Sequence, residues 1–267
     1  ANNININQSD VSISSCTIAT TCSSSNVDNT RFSFNNVILN DTTQYYFNSS
    51  NLNFNTLTRT SSELMNIRSG SLYSNNSTFN GTGSANTPLS ISSCYFYEGG
   101  TLSITNTTAG DTLRLECVNA NINTLSFNIA TSFNVINSNV LVNTYIMTNM
   151  GNRYNNVTNG SRLNITQINA DAEDVKWVVD RSTLNILNVN HTGILSSNYI
   201  TANNNSLIYL GSNSAGLTNL VGTQQTIVNL DKSTCNLENI NVDDSQIIIN
   251  ANNCTFVGLN NYTFENI

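Results

Sequence analysis

A tetrapeptide of turn residue, aliphatic, polar and aliphatic keeps returning along this 267-residue chain, and no other feature restricts its fold so strongly. The copies are Asn51-Leu52-Asn53-Phe54, Pro88-Leu89-Ser90-Ile91, Thr101-Leu102-Ser103-Ile104, Thr124-Leu125-Ser126-Phe127, Arg162-Leu163-Asn164-Ile165, Thr183-Leu184-Asn185-Ile186 and Ser245-Gln246-Ile247-Ile248. Steps from Leu102 to Leu125, Leu163 to Leu184 and Leu184 to Leu207 are 23, 21 and 23 residues, and Leu125 to Leu163 is close to two such steps. Alternation of apolar and polar residues over four or five positions marks half-buried strands. Polar clusters such as Ser74-Asn75-Asn76-Ser77 and Asn203-Asn204-Asn205-Ser206 interrupt it. Each repeat then holds two or three short strands, too few to bury an apolar face unless neighbouring repeats stack on it. The expectation is an all-β fold: a parallel β-solenoid of about a dozen coils of roughly 20 to 23 residues. It forms a single domain over residues 1–267, with a possible loop insertion around 170–180, where Trp177 and the densest charge interrupt the pattern.

Composition points the same way. Only 9% of residues are charged, against roughly 25% in ordinary globular proteins, while 39% are hydrophobic, so the surface is polar without being ionic. Asn, Ser and Thr take the place of Lys and Glu. They favour turns and compete with helical backbone bonds, which argues against a helical fold. Asn, about a fifth of the chain, tolerates the left-handed conformation at tight corners, and stacked Asn side chains can bond from coil to coil. A net charge of -7 with nine dispersed Lys and Arg offers no basic stripe for nucleic acid, and no apolar run approaches the roughly 20 residues that span a bilayer. The start at Ala1, without Met or leader, fits a mature chain after signal removal and an engineered chain equally well.

In period and pattern the chain resembles the right-handed parallel β-helix superfamily, whose pectate-lyase-like members wind about three short strands per coil. The likeness covers nearly the whole chain. By analogy of fold it implies polysaccharide hydrolysis or elimination as the enzymatic activity to look for.

Six Cys with no CxxC and a single His argue against zinc. Cys94 and Cys117 are 23 residues apart and Cys235 and Cys254 are 19 apart, each about one coil, which would set each pair at stacked positions within disulfide reach. Cys16 and Cys22 remain as a local pair. Such bridges would place the protein in an oxidising compartment. Candidate N-glycosylation sites are Asn7, Asn40, Asn48, Asn75, Asn76, Asn80, Asn106, Asn156, Asn159, Asn164, Asn190, Asn204, Asn253 and Asn261. Their number is what this composition yields by chance.

Catalytic chemistry finds little to stand on. Asp243-Asp244 is an adjacent carboxylate pair whose members would point to opposite faces of a strand. His191 is followed by Thr192 and lacks a nucleophile motif. Asp171, Glu173 and Asp174 cluster oxygen ligands for calcium, yet the Gly-containing EF-hand spacing is missing. Tyr45-Tyr46-Phe47 and Tyr95-Phe96-Tyr97 read first as core or stacking residues and second as a sugar-binding platform. No cofactor, no structural metal and no enzymatic activity are therefore expected.

The leading expectation is an extracellular or cell- or virion-surface structural protein, a self-assembling subunit of a filament, sheath or appendage. Copies would associate end to end, through Ile4, Ile6 and Val11 at one end and Phe256, Phe264 and Ile267 at the other. A monomeric adhesin or carbohydrate-binding β-helix is the alternative, and a polysaccharide lyase or hydrolase the third reading. The partners are further copies and possible glycans, with neither nucleic acid nor membrane insertion.

Overall fold

The structure, a computed structural model, describes residues 3–20, 24–41, 43–81, 89–106, 112–128, 132–148, 154–171, 175–191, 198–210, 225–236 and 246–257. It divides into two compact units, Ala1–Phe133 and Asn134–Ile267. Both units have the same construction, an all-β parallel solenoid, and no helix occurs among the described residues.

In the first unit, strands β1 (Asn3–Asn7), β3 (Ser24–Asp28), β5 (Gln44–Asn48), β7 (Met65–Arg68), β9 (Leu89–Ser92) and β11 (Thr112–Glu116) stack in that order as one sheet. A second sheet is made by β2 (Asp10–Thr20), β4 (Arg31–Asp41), β6 (Asn51–Ser61), β8 (Ser71–Gly81), β10 (Tyr95–Asn106) and β12 (Asn119–Asn128). In the second unit the odd strands are β13 (Ser132–Ile136), which starts at the boundary, β15 (Tyr154–Thr158), β17 (Val175–Asp180), β19 (Asn198–Asn203), β21 (Gln225–Asp231) and β23 (Gln246–Asn252). Its even strands are β14 (Asn139–Thr148), β16 (Arg162–Asp171), β18 (Thr183–His191), β20 (Leu207–Leu210), β22 (Thr234–Asn236) and β24 (Thr255–Val257). One odd strand and the even strand after it make a rung, and within each unit each rung pairs in parallel with the next.

Two consecutive left-handed residues make the odd-to-even turn at Asn159-Gly160 and at Asn204-Asn205, and most other rungs share a single device. One residue takes a left-handed backbone, with φ of 49° at Asn29, 51° at Ser49, 46° at Asn137 and 49° at Arg181. The residue after it turns inward and is buried: Thr30, Ser50, Ser138 and Ser182 in those four cases. Asn was expected to hold these corners. It holds several, but Ser69, Ser93, Cys117, Arg181 and Lys232 adopt the same conformation. Such non-Gly residues carry a strain of order 1 kcal/mol each. What offsets it is bonding between rungs. The left-handed N–H reaches a carbonyl one rung on, as Asn29 N to Asn48 O at 3.0 Å and Asn137 N to Thr158 O at 3.1 Å.

The inward residues form a buried column with its own hydrogen bonds. Each hydroxyl accepts from the N–H of its counterpart one rung back, with Ser138 N to Ser161 Oγ at 3.1 Å, Ser161 N to Ser182 Oγ at 3.1 Å and Ser206 N to Ser233 Oγ at 3.2 Å. The hydroxyl proton finds a carbonyl, as Ser161 Oγ does at Val135 O, 3.1 Å away, or Thr158 O, 2.5 Å away. Small size matters as much as polarity here. Gly70 sits in the column because a Cβ there would collide with the carbonyl oxygen of Ser50.

In the first unit four of the even strands also bend midway at a left-handed residue. In β6, residues 51–55 form one leg and 57–61 a second, joined at Thr56 with φ 61°. Ser15, Asn36 and Asn76 bend β2, β4 and β8 the same way. With the odd strand, the two legs give each of these four rungs three sides. The interior is filled by in-register aliphatic and aromatic columns, including a Phe cluster in which Phe32 and Phe34 lie 4.8 Å apart, Phe34 and Phe54 5.4 Å, and Phe32 and Phe47 5.5 Å. Each such ring pair contributes about 0.5–1.5 kcal/mol beyond the area it buries.

The repeat proves wider than the tetrapeptides indicate. Asn51 and Ser71 are 20 residues apart, whereas Ser206 and Ser233 are 27 apart, and both pairs hold equivalent positions. Some copies of the tetrapeptide also lie on different legs. Leu125 is on the second leg of its strand and Leu163 near the start of β16, so they are not two steps apart. Leu184 pairs with Ile208, not Leu207. The interruption expected at 170–180 is largely a strand. In β17 Trp177 is buried with its ring 5.9 Å from that of Tyr145 and tilted by 52°, so its size marks a core position.

The corner column should be sensitive to single atoms. Ser161→Ala leaves the buried Ser138 N–H without its acceptor and should lower the urea unfolding free energy by about 1–3 kcal/mol. Asn250→Ala, which removes an exposed ladder bond to Asn229, should change it by less than about 0.5 kcal/mol. Equal losses for the two variants would contradict the column's structural role.

Candidate functional site

Most of the sequence candidates for catalysis and for calcium lie outside the described residues. Asp243 and Asp244 lie outside the described residues, as do Glu173 and Asp174. Asp171 ends β16 and His191 ends β18, where Ala170 is its register partner. Among the described residues no group of three or more His, Cys, Asp or Glu side chains could hold a metal ion.

The cysteine pairings are corrected by register. Tyr95 pairs with Asn119, which sets Cys94 level with Val118, and the Asn119 N–H accordingly reaches Cys94 O at 3.2 Å. Cys117 takes the left-handed corner one residue earlier and is level with Ser93. Cys94 therefore points into the corner column and Cys117 outward. Cys235 pairs with Phe256, two residues beyond Cys254. Cys16, Cys94, Cys235 and Cys254 are free thiols in the structure, and Cys22 lies outside the described residues. The argument from disulfides to an oxidising compartment falls with these bridges. Burial pushes the Cys94 thiol up to about 11. The Cys235 thiol rises to about 12 through burial first and nearby Cys254 second.

Two charged side chains sit in the core, and sequence reading passed over both. Arg59 occupies an inward position of β6 and is 1% exposed. Its guanidinium donates to Thr43 O at 2.6 Å, Glu63 O at 2.8 Å and Ser61 Oγ at 3.1 Å, and lies 5.1 Å from the centre of the Tyr45 ring. It thereby fastens the connection that closes that rung. Glu98, fully buried on β10, lies level with Ser74 and Ile122. Its Oε1 accepts from Asn76 N at 3.0 Å and Gly100 N at 2.9 Å, while Oε2 has no protein partner. Asn76 is the last left-handed mid-strand bend, and β10 carries a register shift between Glu98 and Thr101. Glu98 thus caps the end of the bend column. Gly100 is required beside it, since a Cβ there would run into the Asn75 and Asn76 amides. The visible sign was a Glu-Gly-Gly run inside a strand pattern, the mark of a bulge.

Outside, Asn side chains form the expected ladders. Asn55 donates to Asn35 at 2.7 Å, Asn156 to Asn134 at 2.6 Å, and Asn250 to Asn229 at 2.9 Å. Asp28 and Asp231 take Asn48 and Asn252 in the same way. Several sequon residues are consequently engaged, among them Asn48, Asn75, Asn80, Asn156, Asn164 and Asn204. Asn7, Asn40 and Asn253 are exposed. The side chains of Asn106 and Asn190, and Asn261 altogether, lie outside the described residues.

The first rung differs in exposure from the second. Ile6, Val11, Ile13, Cys16 and Ile18 occupy inward positions, paired with Val27, Phe32, Phe34, Val37 and Leu39. The second set is buried, at 4% exposure or less; the first is only half-buried. β1 and β2 pair on one side alone. No protein-family model, no curated protein and no solved structure matches this chain.

Two outcomes follow from the buried groups. Glu98→Ala should lose about 1–3 kcal/mol of stability, having stripped two N–H groups of their acceptor, whereas Glu98→Gln keeps Oε1 and should match or exceed the parent. Cys94 and Cys235 should be silent to Ellman's reagent until the chain unfolds. Because their folded pKa values lie above the ordinary 9.0, the unfolded state sheds these protons first. Stability should therefore fall as pH rises from about 9 through 11 to 12, a trend that Cys94→Ala combined with Cys235→Ala would flatten.

Proposed function

We propose that this chain is a structural β-solenoid of the extracellular or cell-surface kind, whose first rung receives a rung from a second copy so that copies add end to end. The observation that carries the reading is the exposure step between the first two rungs. A surface with half-exposed Ile6, Val11, Ile13 and Ile18, beside open parallel strand edges, is complementary to another rung in both side chains and backbone. Contact without ring closure propagates. The lateral faces favour this role, since their amide ladders and scarce charges supply little repulsion between copies. The three-sided rungs of the first unit support setting the chain beside the right-handed pectate-lyase-like helices in form, with a scaffolding role in place of sugar cleavage.

The test is assembly itself. Sedimentation velocity and electron microscopy of the chain should show end-to-end oligomers that lengthen with concentration. Ile13→Lys should reduce them to monomers, because it places a charge at the junction without disturbing a residue that is buried in the monomer. Tyr154→Lys, on an exposed side position, should leave assembly intact. A chain that stays monomeric at high concentration, or oligomers indifferent to Ile13→Lys, would refute end-to-end stacking.

A further inference from the structure

The first legs of β6, β8, β10 and β12 present an outer face unlike the rest of the first unit. Leu52, Phe54, Leu72, Phe96, Ala120 and Ile122 point inward, and so does Glu98, the only ionisable group on these legs apart from tyrosine. Outward stand three tyrosines, Tyr73, Tyr95 and Tyr97, at 50%, 42% and 41% exposure. Tyr97 is level with Tyr73, and Tyr95 is two residues away on the same strand. The Tyr73 ring lies 5.9 Å from Tyr95 and 6.4 Å from Tyr97, tilted by 53° and 49°. These are contact distances, so the three rings form one cluster. Tyr97 also lies along the backbone of Gly99, where a Cβ would sit 3.2 Å from its ring edge. Glycine at that position leaves the ring its place.

The surroundings decide what such a cluster can hold. Along both outward columns the neighbours are uncharged hydrogen-bonding groups: Asn53 and Asn121 flank Tyr73 and Tyr97, while Ser71 and Asn119 flank Tyr95. Ser71 is further tied to Asn51 at 2.8 Å. No Lys or Arg occurs on these four legs, so the face offers nothing to a phosphate, sulfate or uronate. A protein interface would ask for an apolar centre inside roughly 800 Å² per partner, and three rings edged by amides on every side do not supply it. A neutral sugar fits on both counts. Its C–H face stacks on an aromatic ring, and its hydroxyls match amide and hydroxyl groups repeating at a rung spacing of about 4.8 Å.

We propose that Tyr73, Tyr95 and Tyr97 form a binding site for neutral pyranose oligosaccharides on the side of the first unit. The site is independent of end-to-end assembly and goes beyond it. Its test uses the full chain with cellohexaose, maltohexaose, mannohexaose and chitohexaose as probes, with oligogalacturonate as the anionic comparison. Saturation-transfer NMR and calorimetry read the binding. At least one neutral hexaose should bind. Tyr97→Ala and Tyr73→Ala should each weaken it by roughly tenfold, Tyr97→Phe should retain it, and Tyr154→Ala, an exposed tyrosine elsewhere, should leave it unchanged. Because all three rings are exposed, these variants should keep the parent's circular dichroism and melting curve. The proposal is overturned if none of the neutral probes binds, if only oligogalacturonate binds, or if binding survives both Tyr→Ala changes. A protein ligand captured on this face in place of sugar would overturn it as well.

Discussion

Everything in this structure depends on the hydrogen bonds that run along the stack at each odd-to-even corner. A left-handed residue is costly alone and acceptable when its N–H is taken by the next rung, and the inward hydroxyl beside it closes the remaining donors and acceptors. Because these bonds link equivalent residues, they set register, and register determines which side chains enter the core. A slip of one residue would turn Leu52 and Phe54 out and Asn53 in.

That dependence explains what could be read from the sequence. The alternation of Leu163-Asn164-Ile165 or Leu184-Asn185-Ile186 announces strands, and their recurrence announces stacking, so the all-β solenoid was legible. Position within the rung was not. Thr124-Leu125-Ser126-Phe127 and Arg162-Leu163-Asn164-Ile165 look alike yet occupy different legs, since every leg obeys the same two-residue period. A spacing near one rung could therefore not distinguish Val118 from Cys117 as the neighbour of Cys94. Trp177, Arg59 and Glu98 were obscured for a related reason: each breaks the usual rule of its residue type while keeping an inward place in the alternation.

The buried polar groups and the neutral exterior form a consistent pattern. Where the rung departs from its standard form, at the closing connection near Arg59 and at the bulge beside Glu98, a long polar side chain enters the core to satisfy backbone groups that the next rung does not meet. Where the rung is regular, the outside needs only amides. The tyrosine cluster interrupts this neutral surface next to the bulge, where Gly99 leaves space for a ring.

The variation in rung length has a practical side. A rung of 20 residues in the first unit and one of 27 in the second close on corners of the same kind, with Ser206 and Ser233 bonded much as Ser138 and Ser161 are. The extra length is carried in the connections, of which the span from Leu210 to Gln225 is the longest by sequence. Loop closure grows only slowly more expensive with length. Such connections are natural places to graft foreign peptides, turning the solenoid into a display scaffold whose cargo can be exchanged without renegotiating the register of the stack.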